Sequence, residues 1–312
     1  MIRLLVIDLD GTLLHSSGAL SPESIGTIER CKEAGIAVVI ATARPPRSSR
    51  MFHEQLRLNT PSIHYNGALI CNFTAGTGRS NKSYATAAVA VSLPAPSIAR
   101  HSSRGRQLED STCPYGEMLL HRPIPGELAA ELHDAALALD PAAIVSLEVC
   151  DKWYLNRKMT AFKTETERVG FKPDYLGDLR QFFREPVTKV LISFPTIGVH
   201  VAWPKLSEMF DGRLSLTKAE EGIIQIMNGG VTKGSAVQFL MERLAVSPAE
   251  TAAIGDAPND ISMFHVAGLS IAMGNAYPET KAAATHVTLT NDENGAAVAI
   301  QKLILNPEPV EH

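Results

Sequence analysis

Leu4-Leu5-Val6-Ile7-Asp8-Leu9-Asp10-Gly11-Thr12-Leu13-Leu14 is the stretch on which the fold turns. Four consecutive apolar residues read as a strand buried on both faces, the mark of a parallel sheet. The strand runs straight into two carboxylates one residue apart. Residues two apart in an extended chain point the same way, so Asp8 and Asp10 are expected to face one small volume. That volume lies at the strand's C-terminal end, where open α/β sheets place their sites. Gly11 permits a sharp turn there and a close approach to the backbone. Two carboxylates held together repel unless a cation or a shared proton relieves them. An isolated D-x-D is more often a pair of solvated acids. The buried strand before it, and three further polar clusters at later strand ends, argue otherwise here.

Outward from this stretch, Ser21-Pro22-Glu23 combines an N-cap, a first-turn proline and an acid, a strong helix start. Gly35 is a plausible stop. Ile36-Ala37-Val38-Val39-Ile40-Ala41 then reads as a second two-sided strand, so a βαβ unit is complete within about forty residues. It ends in Thr42-Ala43-Arg44-Pro45, with a hydroxyl at the sheet edge of Asp8; Thr42 could equally cap a helix over Arg47–Leu56. A short strand at Ser62–Tyr65 leads to Asn66-Gly67, a turn signal that can also carry Asn66 to the site.

Residues 75–112 break the pattern. They are rich in Ser, Ala and Gly, with one short strand candidate at Ala85–Leu93, and read as a long loop or insertion. From Glu117 onward structure resumes. Strands are expected at Glu117–His121, Ile144–Val149, Lys189–Phe194 and Val199–Trp203, and helices at Pro125–Leu139, Met159–Val169 and Lys205–Met209. This is an α+β module with an antiparallel sheet. The first module's style returns at Ile223–Met227, followed by Val231-Thr232-Lys233-Gly234 and a helix to Leu244. Lys233 sits at a helix start, where a cation opposes the macrodipole, which suggests that it holds an anion instead. Ala252-Ala253-Ile254 ends in Gly255-Asp256-Ala257-Pro258-Asn259-Asp260, a second buried strand delivering acids. The organisation expected is 1–77 core, 78–116 insertion, 117–221 inserted module and 222–312 core.

The 312 residues are 45% hydrophobic and 20% charged with a net charge of −4, an ordinary globular balance that does not favour nucleic acid. No eighteen-residue apolar run suggests a membrane span. The opening residues lack the pattern of a secretory signal, and Cys31, Cys71, Cys113 and Cys150 are scattered without a C-x-x-C pair. A reducing cytosol is therefore the expected setting.

Asp8/Asp10, Thr42, Lys233 and Asp256/Asn259/Asp260 together describe a hard oxygen site, for which Mg²⁺ is the natural ion. A carboxylate-bound metal beside a lysine suits a phosphoryl group. The segments D-L-D-G-T-L-L, the Thr42 strand end, V-T-K-G and G-D-A-P-N-D, in that order, resemble the four motifs of the haloacid dehalogenase-like superfamily. The N-G-A element and the large inserted module resemble its Cof-type phosphatases of subclass IIB, with a C2B cap. The resemblance implies a Rossmann-like doubly wound parallel sheet carrying an α+β cap. It implies Asp8 as nucleophile and Asp10 as acid/base, with Thr42 and Lys233 on the phosphoryl oxygens. Leu9, Ala43, Arg44, Asn66 and Asn259 join in substrate binding. Mg²⁺ falls to the Asp8 carboxylate, the Asp10 carbonyl and Asp256, with Asp260 in support. The substrate implied is a small phosphorylated metabolite. A phosphomutase of the phosphomannomutase type, or a phosphometabolite-binding regulator without turnover, are the alternatives, and oligomeric state is open. Two departures stand out: Ala43 where the pattern has Gly, and the 75–112 segment, which has no counterpart.

Overall fold

The structure is a computed structural model and describes residues 1–73, 112–113, 116–158, 170–218 and 222–306. Its centre is a five-stranded parallel sheet in the order His286–Val287, Leu269–Ala272, Thr251–Gly255, Leu4–Ile7, Ala37–Ile40. Val6 lies opposite Ala253 on one side and Val39 on the other. Leu4, Leu5, Val6 and Ile7 are all fully buried. Since successive side chains point to opposite faces, the sheet is covered on both, as the unbroken apolar run requires. Neighbouring strands depart from Leu4–Ile7 in both directions across the sheet. Its C-terminal end is thus a switch point, where the loops diverge and leave a crevice.

The covering helices form as their sequences dictate. Pro22–Glu33 starts on Ser21, whose hydroxyl accepts from the Ser24 amide at 2.9 Å, and ends before Gly35 at φ +77°. Lys233–Leu244 starts on a capping box between Thr232 and Ser235 and packs against Ile261–Phe264.

A second, six-stranded sheet runs Leu214–Lys218, Ile223–Asn228, Lys189–Ser193, Ile144–Val149, Lys152–Leu155, Tyr175–Leu176. All its pairs are antiparallel except the last. Helices Gly126–Leu139 and Val199–Met209 pack on one face, with Leu132, Ala136, Ala202 and Leu206 against Leu147, Ile192, Ile224 and Ile226. A four-stranded antiparallel sheet stands between the two modules, in the order Ser62–His64, Leu69–Phe73, Gly116–His121, Thr112–Cys113. Among the described residues no helix is long and apolar enough to cross a membrane.

Three expectations need correction. Val199–Trp203 is the start of a helix, not a strand. Its β-branched residues favour strands, but Ala202 and Leu206, four apart, fill one buried face and tertiary packing wins. Ile223–Asn228 pairs within the six-stranded sheet, not the parallel core. A short apolar run carries no mark of which sheet it joins. Gly116–His121 pairs with Leu69–Phe73 rather than with the second module's sheet. The Ala85–Leu93 strand and the Met159–Val169 helix lie outside the described residues.

Candidate active site

Asp8 ends the first strand, its amide donating to the Ile254 carbonyl at 3.0 Å. The chain then leaves extended geometry and turns at Gly11, φ +73°. A Cβ on Gly11 would lie 2.4 Å from Asp256 Oδ2, so only glycine fits between the two acidic loops. Thr12 Oγ1 donates to Asp256 Oδ1 at 2.8 Å and ties those loops together. Thr12 stands inside the first motif, yet its spacing alone does not name Asp256 as its partner.

Lys233 is 1% exposed, and its Nζ donates to Asp8 Oδ1 and to Asp260 Oδ1, each at 2.6 Å. Asp260 Oδ2 accepts from the amides of Asp256 and Ala257 at 2.9 and 3.0 Å. Asp260 thus shapes the loop that presents Asp256. Oxygens of Asp8, Asp256 and Asp260 lie within 4.8 Å of one another. Three carboxylates against one ammonium leave the cluster over-rich in negative charge. Burial, with the neighbouring acids adding to it and Lys233 opposing, holds the Asp8 carboxyl well above its ordinary value. Burial and then Asp260 push Asp256 up to about 7. Burial disfavours charge on Lys233, but Asp260 and Asp8 outweigh it and raise its pKa. A hard divalent cation suits this donor set: all-oxygen, excess negative charge, carboxyls that burial drives toward protonation.

The Asp10 carboxylate accepts from Arg44 Nε at 2.7 Å and from Arg44 Nη2, and its charge reaches Asp8 and Asp256, whose carboxyls it helps to raise. Arg44 also donates to the Ser48 carbonyl and lies over the Phe52 ring. Its guanidinium is therefore engaged with the protein. Thr42 is fully buried; its hydroxyl accepts from the Arg44 amide at 3.1 Å and caps no helix. The Pro46–Gln55 helix has Pro45 as its N-cap. Ala43 has no positive φ, so the alanine is unstrained. Leu9 is fully buried, which leaves only its main chain for any ligand contact.

Asn66 makes the turn and also reaches Asn259. It joins Ser62–His64 to Leu69–Phe73 in left-handed conformation, φ +56°, and its side chain accepts from Asn259 Nδ2 at 2.9 Å. Gly67, φ +103°, lets this turn pack on the start of the lysine-bearing helix; a Cβ there would lie 2.2 Å from the Thr232 carbonyl. Asn66, Lys233 and Asn259 share the wall of a cavity of about 400 Å³ with Trp203, Thr217 and Lys218 of the second module.

Several residues at this junction carried no sequence signal. Lys189, on the second sheet, donates to the Ala43 carbonyl at 3.0 Å and pairs with Glu148 at 3.2 Å. The Arg47 amide and side chain engage Asp151, and its guanidinium donates to Asp174 at 3.1 Å. Gln225 accepts from Asn66 Nδ2 at 2.7 Å.

The model of the haloacid dehalogenase-like hydrolases matches residues 5–90 and 71–300. A Bacillus subtilis protein named 5-amino-6-(5-phospho-D-ribitylamino)uracil phosphatase YwtE is 32% identical over 311 residues, covering 97% of this chain and 98% of its own. The B. subtilis phosphatase YitU, named for the same substrate, is 29% identical over 94% of each chain. A haloacid dehalogenase-like hydrolase from Bacteroides thetaiotaomicron, known by crystal structure, superposes with a TM-score of 0.73 at 25% identity, covering 96% of this chain and 99% of that one. The chain belongs to the haloacid dehalogenase-like hydrolases, as a Cof-type phosphatase.

Proposed function

We propose that the protein is a Mg²⁺-dependent cytosolic phosphatase that hydrolyses a small phosphorylated metabolite through a phosphoaspartate at Asp8. The observation that carries this reading is the Lys233 ammonium set between Asp8 and Asp260 at 2.6 Å, with Asp256 in the same carboxylate cluster. An Asp8 oxygen attacks phosphorus as the bond to the leaving oxygen breaks. Asp10 gives its proton to the departing alkoxide. It then takes one from water, which attacks phosphorus, breaks the bond to Asp8 and restores the carboxylate. Lys233 holds Asp8 in line and offsets charge on the phosphoryl oxygens; the Thr42 hydroxyl and the Asn259 amide complete the cradle. Arg44 fixes where Asp10 can reach. Asp8, the Asp10 carbonyl and Asp256 would hold Mg²⁺, with Asp260 orienting the Asp256 loop. When bound, the ion screens the repulsion between carboxylate and phosphoryl oxygens.

The relatives named for 5-amino-6-(5-phospho-D-ribitylamino)uracil make a phosphorylated polyol on a heterocycle the first substrate to try. The test is phosphate release from a panel of phosphorylated metabolites, with Mg²⁺ and with a chelator. Release that needs Mg²⁺ is the expected result. Release undiminished by chelation removes the metal from the proposal.

A further inference from the structure

Gln225, Asn66 and Asn259 form one file of side-chain amides that runs from the cap sheet to the catalytic loop. Asn259 Nδ2 donates to Asn66 Oδ1 at 2.9 Å, and Asn66 Nδ2 donates to Gln225 Oε1 at 2.7 Å. Asn66 is 2% exposed and its backbone is pinned, the amide donating to the Thr42 carbonyl at 3.2 Å. Beyond the file, Asn259 Oδ1 is buried with no partner. A buried acceptor left unpaired is unfavourable, so this end of the file is incomplete as it stands.

A primary amide accepts at one end and donates at the other. Three in file must therefore all point the same way. Exchanging oxygen and nitrogen in all three keeps every heavy-atom distance and reverses the direction. Gln225 then donates to Asn66, Asn66 donates to Asn259, and an N–H of Asn259 takes the place of the orphaned oxygen. In one direction the file presents an acceptor at the buried end, which repels a phosphoryl oxygen. In the other it presents a donor, which binds one.

We propose that Gln225 is a positioning residue of the cap, which acts through Asn66 to set the direction of the Asn259 amide and so makes it a phosphate donor. This rests on the phosphatase reading above and adds a coupling to it. Gln225 rides on the Ile223–Asn228 strand, so the file is complete when the cap is docked on the core. Cap docking and phosphate binding then favour each other through amide direction, with no charged group moved.

The test separates direction from charge and from structure. In Gln225→Glu the side chain can only accept, which forces the unfavourable direction. KM for p-nitrophenyl phosphate, and the inhibition constant for inorganic phosphate, should rise about tenfold while kcat changes less than about threefold. In Gln225→Lys the side chain can only donate, and KM should move the opposite way, down by about twofold. In an Asn66→Gly background the file is cut, at a position whose positive φ suits glycine, and Gln225→Glu should then have no further effect on KM. The proposal is overturned if Gln225→Glu leaves KM unchanged. It also falls if Glu and Lys raise KM alike, or if the Glu effect survives in the Asn66→Gly protein, which would be plain repulsion. A wild-type protein that releases no phosphate from any ester and gains no melting temperature from phosphate fails earlier, on the phosphatase reading itself, and removes the role of Asn259 with it.

Discussion

The C-terminal edge of the parallel sheet and the cap sheet facing it bring charge to the same junction by different means. At the sheet edge Asp8, Asp256, Asp260 and Lys233 stand at strand ends and helix starts. They are packed so closely that one lysine serves two carboxylates. On the cap, Lys189 and Glu148 sit within strands and pair one to one, and the cap reaches the core through the Ala43 carbonyl, the Asn66 amide and the ion pairs of Asp151 and Asp174 with Arg47. The difference is that the core cluster is left with surplus negative charge, whereas the cap's pair is balanced. Surplus charge calls for a cation and a substrate; a balanced pair calls only for docking. On the proposed function, chemistry belongs to one surface and recognition to the other.

The largest effect short of the nucleophile should come from Lys233→Met. It strands Asp8 and Asp260 in a buried site, and breaking such a pair costs about 3–5 kcal/mol. Urea unfolding should show that loss in chelator, and Mg²⁺ should restore part of it. A loss below about 1 kcal/mol would mean that the carboxylates simply take up protons, and the contrast between the two surfaces would weaken.

Lys189→Met should do less to the fold and more to substrate capture. It removes one ion pair and the hydrogen bond to Ala43, so the cap docks less tightly. KM should rise several-fold, roughly 3–10 times, with kcat nearly unchanged. A kcat that falls in step with kcat/KM would place Lys189 among the groups that act on the transition state.

A further effect is one of pH and concerns neither surface directly. Burial, followed by the neighbouring His53, holds His64 down at about 3. The folded protein keeps it neutral where the unfolded chain takes up a proton near pH 6.5. Between pH 6.5 and about 3 the unfolded state binds more protons, so this contribution to stability is full above pH 6.5 and is lost as pH falls. At pH 5 the loss is about 2 kcal/mol, from 1.4 kcal/mol per pH unit. The difference in unfolding free energy between wild type and His64→Gln should therefore shrink by about 2 kcal/mol from pH 7 to pH 5. A difference that stays constant across this range would show that His64 titrates normally.

The core was legible because its chemistry stands where the apolar pattern stops. A four-residue buried strand followed by Asp8, or by Gly255-Asp256, announces both the sheet and the site. Lys233 was legible because it opposes its own helix. Asp10 was half legible: its identity was clear, but nothing in the motif named Arg44 as the partner of its carboxylate. Ile223–Asn228 was legible as a strand and not as a cap strand, because an apolar run does not name its neighbour. Lys189 and Gln225 were not legible at all. They lie within strands where any polar residue would do for solubility, and their partners, the Ala43 carbonyl and the Asn66 amide, are fixed only by the docking of one module on the other.

In the proposed reaction Asp8 carries the phosphoryl group. Wild type and Asp8→Asn should be mixed with a hydrolysed substrate, quenched in acid within a turnover and examined by mass spectrometry of the Asp8 peptide. Wild type should show one added phosphoryl group on that peptide. Asp8→Asn should show none, lose about 10⁴-fold or more in turnover, and melt no lower than wild type, since a neutral amide relieves the carboxylate repulsion. Turnover by Asp8→Asn within about tenfold of wild type, or a phosphoryl group found on another residue, would contradict the account.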